Sequence, residues 1–107
     1  MANTFKNALA RNVGTSAVTL YTAPASTNSI CIELDVCNTS ASGVTVDVFV
    51  TSSSLNYYIV KSAPVPVGGS LQVVSGQKIV VANGDAIKVV SSAAASIDVV
   101  GAILEDV

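Results

Sequence analysis

The chain has 107 residues, with 5 basic and 7 acidic side chains, no His, no Trp and a formal net charge of −2. This length fits one domain and excludes a second one of ordinary size. The cations are few and scattered, so we expect no nucleic-acid partner. No apolar run reaches the roughly 18 residues of a membrane span, which predicts no membrane contact. The start lacks the apolar stretch of a signal peptide, which predicts synthesis and residence in the cytosol.

The low charge content is the unusual feature of the composition. Charged residues make up 11% of the chain and hydrophobic residues 50%, whereas soluble domains carry about 25% charged residues. A surface built from Ser, Thr, Asn, Val and Ala costs little free energy to desolvate. We therefore expect much of the surface to be buried against other subunits, in a homo-oligomer of three or more copies.

The N-terminal segment, residues 1–14, allows two interpretations. A helix would place Phe5 and Leu9 one turn apart, on the same side. The same residues also alternate, and in a strand Phe5, Leu9 and Val13 would share one face. We favour an N-terminal arm or first strand, followed by a β-sandwich domain over residues 15–107.

Valine-rich segments bounded by turn residues predict β-structure for the rest of the chain. The predicted strands cover residues 17–22, 30–36, 44–50, 55–61, 70–74, 77–81, 86–91 and 96–104. Pro64 and Pro66 predict a sheet edge or a crossing between sheets, because proline cannot donate to a ladder. Tight turns are predicted at Gly68-Gly69, Ser75-Gly76 and Asn83-Gly84, the last as a hairpin with a longer loop or a bulge.

Two of these strands alternate strictly between apolar and polar residues. In residues 30–36, Ile30, Ile32, Leu34 and Val36 form the apolar face, and Cys31, Glu33, Asp35 and Cys37 lie opposite. The loop Asn38–Gly43 predicts an antiparallel hairpin with residues 44–50.

In that hairpin Asp47 would face Glu33 or Asp35. The three carboxylates are then a candidate cation site, with a solvated outer face or salt bridges to lysines as the alternative. As a general acid and base they lack an accompanying pocket.

The whole pattern predicts an all-β fold. Roughly eight or nine short strands, with turns every 8 to 12 residues, are typical of a single-domain antiparallel β-sandwich, jelly-roll-like or Ig-like. Residues 99–104 are continuously apolar apart from Gly101. This predicts a strand covered on both faces, either central in its sheet or buried in an assembly.

The two cysteines suggest packing rather than chemistry. Within one strand Cys31 and Cys37 would share a face about 20 Å apart, beyond disulfide reach. Without His, Cys–His catalysis and mixed Cys/His zinc sites are excluded, and two thiols are too few for a structural zinc. Two reduced packing cysteines or an intermolecular disulfide remain. The serines also have no base to activate them, so we expect no enzyme, no cofactor and no metal.

Two tyrosines stand out as contact residues. Tyr57 and Tyr58 are consecutive, so they point to opposite faces of a strand and at most one enters the core. The other is either exposed or buried in a subunit contact, where Tyr is enriched. With the terminal segments, the interface candidates are Phe5, Leu9, Tyr57, Tyr58, Ile103 and Leu104.

Four segments carry a family resemblance: Val18–Pro24, Leu34–Ser40, Lys61–Leu71 and Lys78–Val89. Their succession resembles small β-rich structural proteins of tailed-bacteriophage virions. The resemblance spans most of the chain and consists of turn and strand signatures. The family pattern has a longer polar residue where Cys37 stands, so it implies no role for this cysteine.

This resemblance implies a symmetric oligomer in the virion, made in the host cytoplasm, with other virion proteins such as the major capsid protein as partners. We expect a capsid decoration or cement protein. A neck, tail or fibre-attachment adaptor is the alternative. A carbohydrate-binding sandwich is a more distant one, because such a module needs exposed aromatic platforms and the chain has no Trp.

Overall fold

The computed structural model describes residues 4–74 and 78–106. Within these residues the chain forms nine strands and no helix, so none of the described segments is a helix able to span a membrane. The strands are β1 (Thr4–Val13), β2 (Val18–Thr22), β3 (Asn28–Asn38), β4 (Val44–Ser52), β5 (Leu55–Val65), β6 (Ser70–Val74), β7 (Ile79–Val81), β8 (Ala86–Ser91) and β9 (Ile97–Asp106). The predicted turn Ser75-Gly76 and Gln77, the first residue predicted for β7, lie outside the described ranges.

The strands form two antiparallel sheets packed face to face. Sheet A has the order β1-β9-β3-β6, and β7 also pairs with β3; sheet B has the order β2-β8-β4-β5. Only β4 and β5 are consecutive strands that pair with each other, and β6 and β7 both pair with β3. All other consecutive strands lie in opposite sheets. The predicted β-sandwich is confirmed, and its winding is that of a jelly roll.

This winding overturns two predicted hairpins. The strands β3 and β4 lie in different sheets, so the loop after Asn38 crosses the sandwich instead of closing a hairpin. The turn at Asn83-Gly84 is present, with Gly84 at φ 82°, but it joins β7 of sheet A to β8 of sheet B. Alternation shows which face of a strand is apolar, but it does not show which strand lies next to it.

The core lies between the inner faces of the two sheets. Its largest fully buried side chains are Leu34, Ile87, Ile97, Ile103, Val13, Val36, Val46, Val48, Val65, Val81, Val89 and Val99. Full burial of one such side chain stabilises the fold by about 1.5–3 kcal/mol. Valine suits this position because its branched side chain packs well on a pleated surface.

Bulges in β1 and β3 reverse the alternation within these strands. One extra residue in β1 lies between Ala10 and Val13, where Asn12 has φ 55°. Leu9 therefore points outward while Val13 is fully buried, and the prediction that they share a face is wrong. One extra residue in β3 lies between Cys31 and Glu33.

The β3 bulge changes the predicted apolar face. Cys31 enters the core with Leu34 and Val36, whereas Ile30 and Ile32 remain partly exposed. Cys37 stays on the outer face, so the two cysteines point to opposite faces and not to the same one. A bulge is invisible to a period-2 pattern because both residues of the bulge have ordinary side chains.

The two chain ends meet in sheet A. Residues 4–13 form strand β1, as in the first-strand interpretation, and β1 pairs with β9. Strand β9 lies between β1 and β3, so the predicted central position is confirmed. It is not covered on both faces, because Val100 is 56% exposed. Pro64 lies on the edge strand β5, and the chain crosses to sheet A just after Pro66, as predicted.

Candidate functional site

The three predicted cation ligands do not come together. Glu33 and Asp35 lie on the outer side of β3 in sheet A, whereas Asp47 lies on β4 in sheet B. The prediction that Asp47 faces one of the other two is wrong, because it depended on the β3–β4 hairpin. Among the described residues no group of three or more His, Cys, Asp or Glu side chains could hold a metal ion.

Each carboxylate has its own local environment. A side-chain hydrogen bond with Asp35 raises the pKa of Glu33, and the charge of Asp35 adds to this effect. Asp35 Oδ1 is buried and has no hydrogen-bond partner among the described residues. Asp47 instead accepts a hydrogen bond of 2.6 Å from the Ser62 N–H and lies 4.0 Å from Lys61 Nζ.

A row of apolar side chains crosses the outer side of sheet A. Phe5 pairs in register with Leu104, Leu104 with Ile30, and Ile30 with Val80. The row therefore runs over β1, β9, β3 and β7. Phe5 is 75% and Val80 65% exposed, and the two central residues are half-buried. Four strands thus present one continuous apolar line to solvent.

A second apolar pair lies further along the same side. Leu9 and Val100 are register partners and are 64% and 56% exposed. They line an open groove of about 390 Å³ beside Arg11 and Asp98. We call the outward side of sheet A outer face A; it includes Phe5, Leu9, Arg11, Ile30, Glu33, Asp35, Val80, Asp98, Val100 and Leu104.

The opposite side of the molecule carries aromatic and basic side chains. The rings of Phe49 and Tyr58 lie 5.0 Å apart, and Lys61 Nζ lies 4.5 Å from the centre of the Tyr58 ring. Lys88 is the register partner of Phe49 on β8. We call this side outer face B; it comprises Asp47, Phe49, Tyr58, Lys61, Lys88 and Val90.

The six interface candidates fall into different environments. Phe5, Leu9 and Leu104 lie on outer face A, and Tyr58 lies on outer face B. Tyr57 is exposed near the turn of the β4–β5 hairpin. The prediction of an interface role for Ile103 is wrong, because this side chain is fully buried in the core. Consecutive residues of a strand point to opposite sides, so Ile103 points inward where Leu104 points outward.

Sequence reasoning missed Val80 and Val100 as exposed residues. The alternation of β7 could have indicated that Val80 points outward, because this residue lies between two inward-pointing residues. For Val100 the apolar run around it concealed the alternation.

A polar cluster joins the two sheets at one end. The Tyr21 hydroxyl of sheet B donates a hydrogen bond to the Glu105 carboxylate of sheet A and lies 2.7 Å from Ser29 Oγ. Lys6 Nζ lies 3.2 Å from the same carboxylate. The hydrogen bond from Tyr21 lowers the pKa of Glu105, and burial raises the pKa of Tyr21. This cluster holds β1, β2 and β9 together, and Tyr21 and Lys6 are the partners of the Glu105 carboxylate.

Both cysteines are free thiols. Cys31 lies in the core, where burial raises its pKa to about 11. Cys37 is half-buried on the outward side of β3. Of the two, only Cys37 has an exposed part that could meet another molecule.

No protein-family model and no curated protein sequence matches the chain. Among solved structures, the chain is similar to a protein of the Bacillus endospore appendages, a family of disulfide-linked pili, with a TM-score of 0.57 and 14% identity over 96% of this chain and 86% of that one. It is also similar to a chain of the T13 IBDV viral particle, with a TM-score of 0.45 and 12% identity over 96% of this chain and 30% of that one. The likeness to the pilus protein shows that these two chains share a fold.

Proposed function

We propose that the chain is a non-enzymatic structural protein of a tailed-bacteriophage virion, and more narrowly a capsid decoration protein. Outer face A carries this proposal. Its exposed apolar side chains come from strands that are hydrogen-bonded in register, so the surface is rigid before it meets a partner. A rigid apolar surface loses little conformational entropy on association.

The size of this surface suits a repeated contact. Phe5, Leu9, Val80 and Val100 are each more than half exposed, and covering them contributes about 4–8 kcal/mol. That gain is close to the lower estimates, about 4 kcal/mol and upward, for the freedom lost on association. One such contact is therefore weak. Several contacts per subunit reinforce one another, as they do in a shell.

The charged groups support a structural role over a catalytic one. The carboxylate of Glu105 bonds to Tyr21 and Lys6, and that of Asp47 to the Ser62 N–H. These groups hold strands in place. The fold is also that of a protein from an assembled pilus, which agrees with a structural role but does not specify the particle.

A second exposed region offers a contact to a different protein. Residues 55–58 of β5 are exposed on both faces, so this end of the β4–β5 hairpin extends past the core. It presents Leu55 and Tyr57, which are both more than half exposed. With two separate surfaces, one copy can contact its neighbours and the major capsid protein at once.

The test is the copy number in purified virions of the phage that encodes the chain. Quantitative mass spectrometry gives the ratio of the chain to the major capsid protein. Hundreds of copies per particle support a decoration protein. A few tens or fewer overturn that assignment in favour of a neck, tail or fibre-attachment adaptor. Absence from the particle overturns the virion proposal altogether.

A matched pair of variants connects the copy number to outer face A. Leu9→Ser removes an exposed side chain of that face, and Val67→Ser removes one that is 57% exposed in the turn before β6. We expect Leu9→Ser to lower the copy number and Val67→Ser to leave it unchanged. Equal incorporation of both variants would contradict the assignment of outer face A.

A further inference from the structure

We propose that outer face A is covered by outer face B of a second copy of the same chain, in a head-to-tail contact. This inference rests on the proposed structural function and names the partner of the apolar surface. It is carried by unpaired charges of opposite sign on the two faces.

Outer face A holds carboxylates that have no cation. In the described part of the chain the salt bridges are Lys6 to Glu105 and Lys61 to Asp47, so Glu33 and Asp35 have none. The two carboxyl groups lie close enough to interact, and Asp35 Oδ1 has no hydrogen-bond partner among the described residues. A purely apolar partner would bury these groups without compensation, which is unfavourable. Arg11 lies on the same face beside Leu9 and Val100 but forms no salt bridge with either carboxylate among the described residues. A covering surface that supplies further cations would therefore compensate Glu33 and Asp35.

Outer face B supplies them. Lys88 is half-buried between its register partners Thr19 and Phe49, and it forms no salt bridge among the described residues. Lys61 has a side chain that is 64% exposed, and its Nζ lies 4.0 Å from Asp47 Oδ2. Between the two lysines lies the Tyr58 ring, which is 47% exposed and packs at a tilt of 43° against the buried Phe49 ring.

The two faces thus match in both polarity and charge. The exposed Tyr58 ring of outer face B can pack on Leu9 and Val100, while Lys61 and Lys88 approach Glu33 and Asp35. Opposite charges across an interface raise the rate of association and exclude wrong partners.

The same charges argue against a symmetric dimer. A two-fold contact centred on these carboxylates would place Glu33 and Asp35 of one copy near those of the other, which is unfavourable. Outer faces A and B lie on opposite sides of one sandwich. A contact between them therefore leaves one free face at each end, and further copies add until a ring closes or a filament grows.

The experiment uses two charge reversals and measures molar mass by light scattering over a range of concentrations. Glu33→Lys makes outer face A basic, and Lys88→Glu makes outer face B acidic. Each variant alone then opposes like charges, and we expect its association to weaken by about tenfold or more. Asp85→Lys, in the turn before β8, changes the net charge as Glu33→Lys does and should associate like the wild type.

Mixing the two variants is the decisive step. In an alternating assembly, the Lys at position 33 of one variant meets the Glu at position 88 of the other, and the next contact is the wild-type one. Equimolar mixing should therefore restore association, and a filament or a ring with an even number of copies should regain the wild-type mass. Circular dichroism confirms that each variant is folded, and Lys61→Glu replaces Lys88→Glu if that variant is not.

Three results would overturn the inference: a wild-type chain that stays monomeric or stops at a dimer, single variants that associate like the wild type, or a mixture that shows no recovery. If the mixture fails while the chain is found in virions, the face-to-face contact is wrong and the proposed function stands. If mixing restores association but virions lack the chain, the face-to-face contact stands and the proposed function is wrong.

Discussion

Replacing the neighbouring residues Ile103 and Leu104 by Ala, one at a time, tests the inward and outward assignment of β9. Ile103 is fully buried among core side chains, whereas Leu104 is half-buried on outer face A. Ile103→Ala removes three buried carbon atoms, which at about 0.8 kcal/mol each is about 2.4 kcal/mol of lost transfer free energy. The cavity left behind raises the cost to as much as about 4 kcal/mol.

The size of the effect in a melting experiment follows from the chain length. At about 2.1 cal/mol/K per residue, the entropy of unfolding of this domain is about 0.22 kcal/mol/K. Ile103→Ala should therefore lower Tm by about 11 to 18 °C. Leu104→Ala leaves no cavity in the core and should cost about 1 kcal/mol or less, which is under about 5 °C.

The assay is thermal unfolding followed by circular dichroism at low protein concentration, where association contributes little to Tm. Urea unfolding gives the same comparison as free energies. If Leu104→Ala proves as destabilising as Ile103→Ala, the register of β9 is wrong. Outer face A would then lose one of its two central residues.

Three further predictions concern pH, thiol reactivity and the turn at Gly84. The lowered pKa of Glu105 stabilises the fold at pH values above the ordinary value of 4.5, and this contribution is lost as the pH falls through the lower folded-state value. The difference in unfolding free energy between the wild type and Tyr21→Phe, measured by urea unfolding, should therefore shrink in acid. A difference that stays constant with pH would contradict this prediction. A thiol reagent at pH 8 should modify Cys37 before Cys31, since burial raises the pKa of Cys31 to about 11. Mass spectrometry of digests gives the modification rate of each cysteine, and equal rates in the folded protein would refute the prediction. Gly84→Ala should lower the free energy of unfolding, measured in urea, by about 1–2 kcal/mol because Gly84 has φ 82°. Gly43→Ala is the control. A Cβ at Gly43 would meet only Val65 O at 4.0 Å, so this variant should change the free energy of unfolding by less than about 0.5 kcal/mol.

The strands themselves could be predicted closely from the sequence. The bounds predicted for residues 70–74 and 86–91 agree with β6 and β8 to the residue. Period-2 alternation and the turn residues on either side are local signals, and both are strong in a valine-rich chain. The β-sandwich follows from the number of such strands.

Strand pairing could not be predicted in the same way. The loop between β3 and β4 has the composition of a hairpin loop, yet it crosses between sheets. The difference arises from contacts between distant segments, such as β1 with β9, which no local pattern records. The bulges near Asn12 and Ile32 likewise reversed the predicted faces around them. For these reasons the sequence suggested outer face A through Phe5 and Leu9 but missed Val80 and Val100.

The central position of β9 has a consequence for how the protein is made. A ribosome synthesises β1 first and β9 last, yet β9 is the only described strand that pairs with β1, and it also pairs with β3. Sheet A therefore cannot close until β9 has left the exit tunnel. Contacts between such distant segments also make folding slow. During that delay the unpaired strands are exposed to neighbouring chains, so a cell that makes many copies at once has to keep the unfinished chains apart.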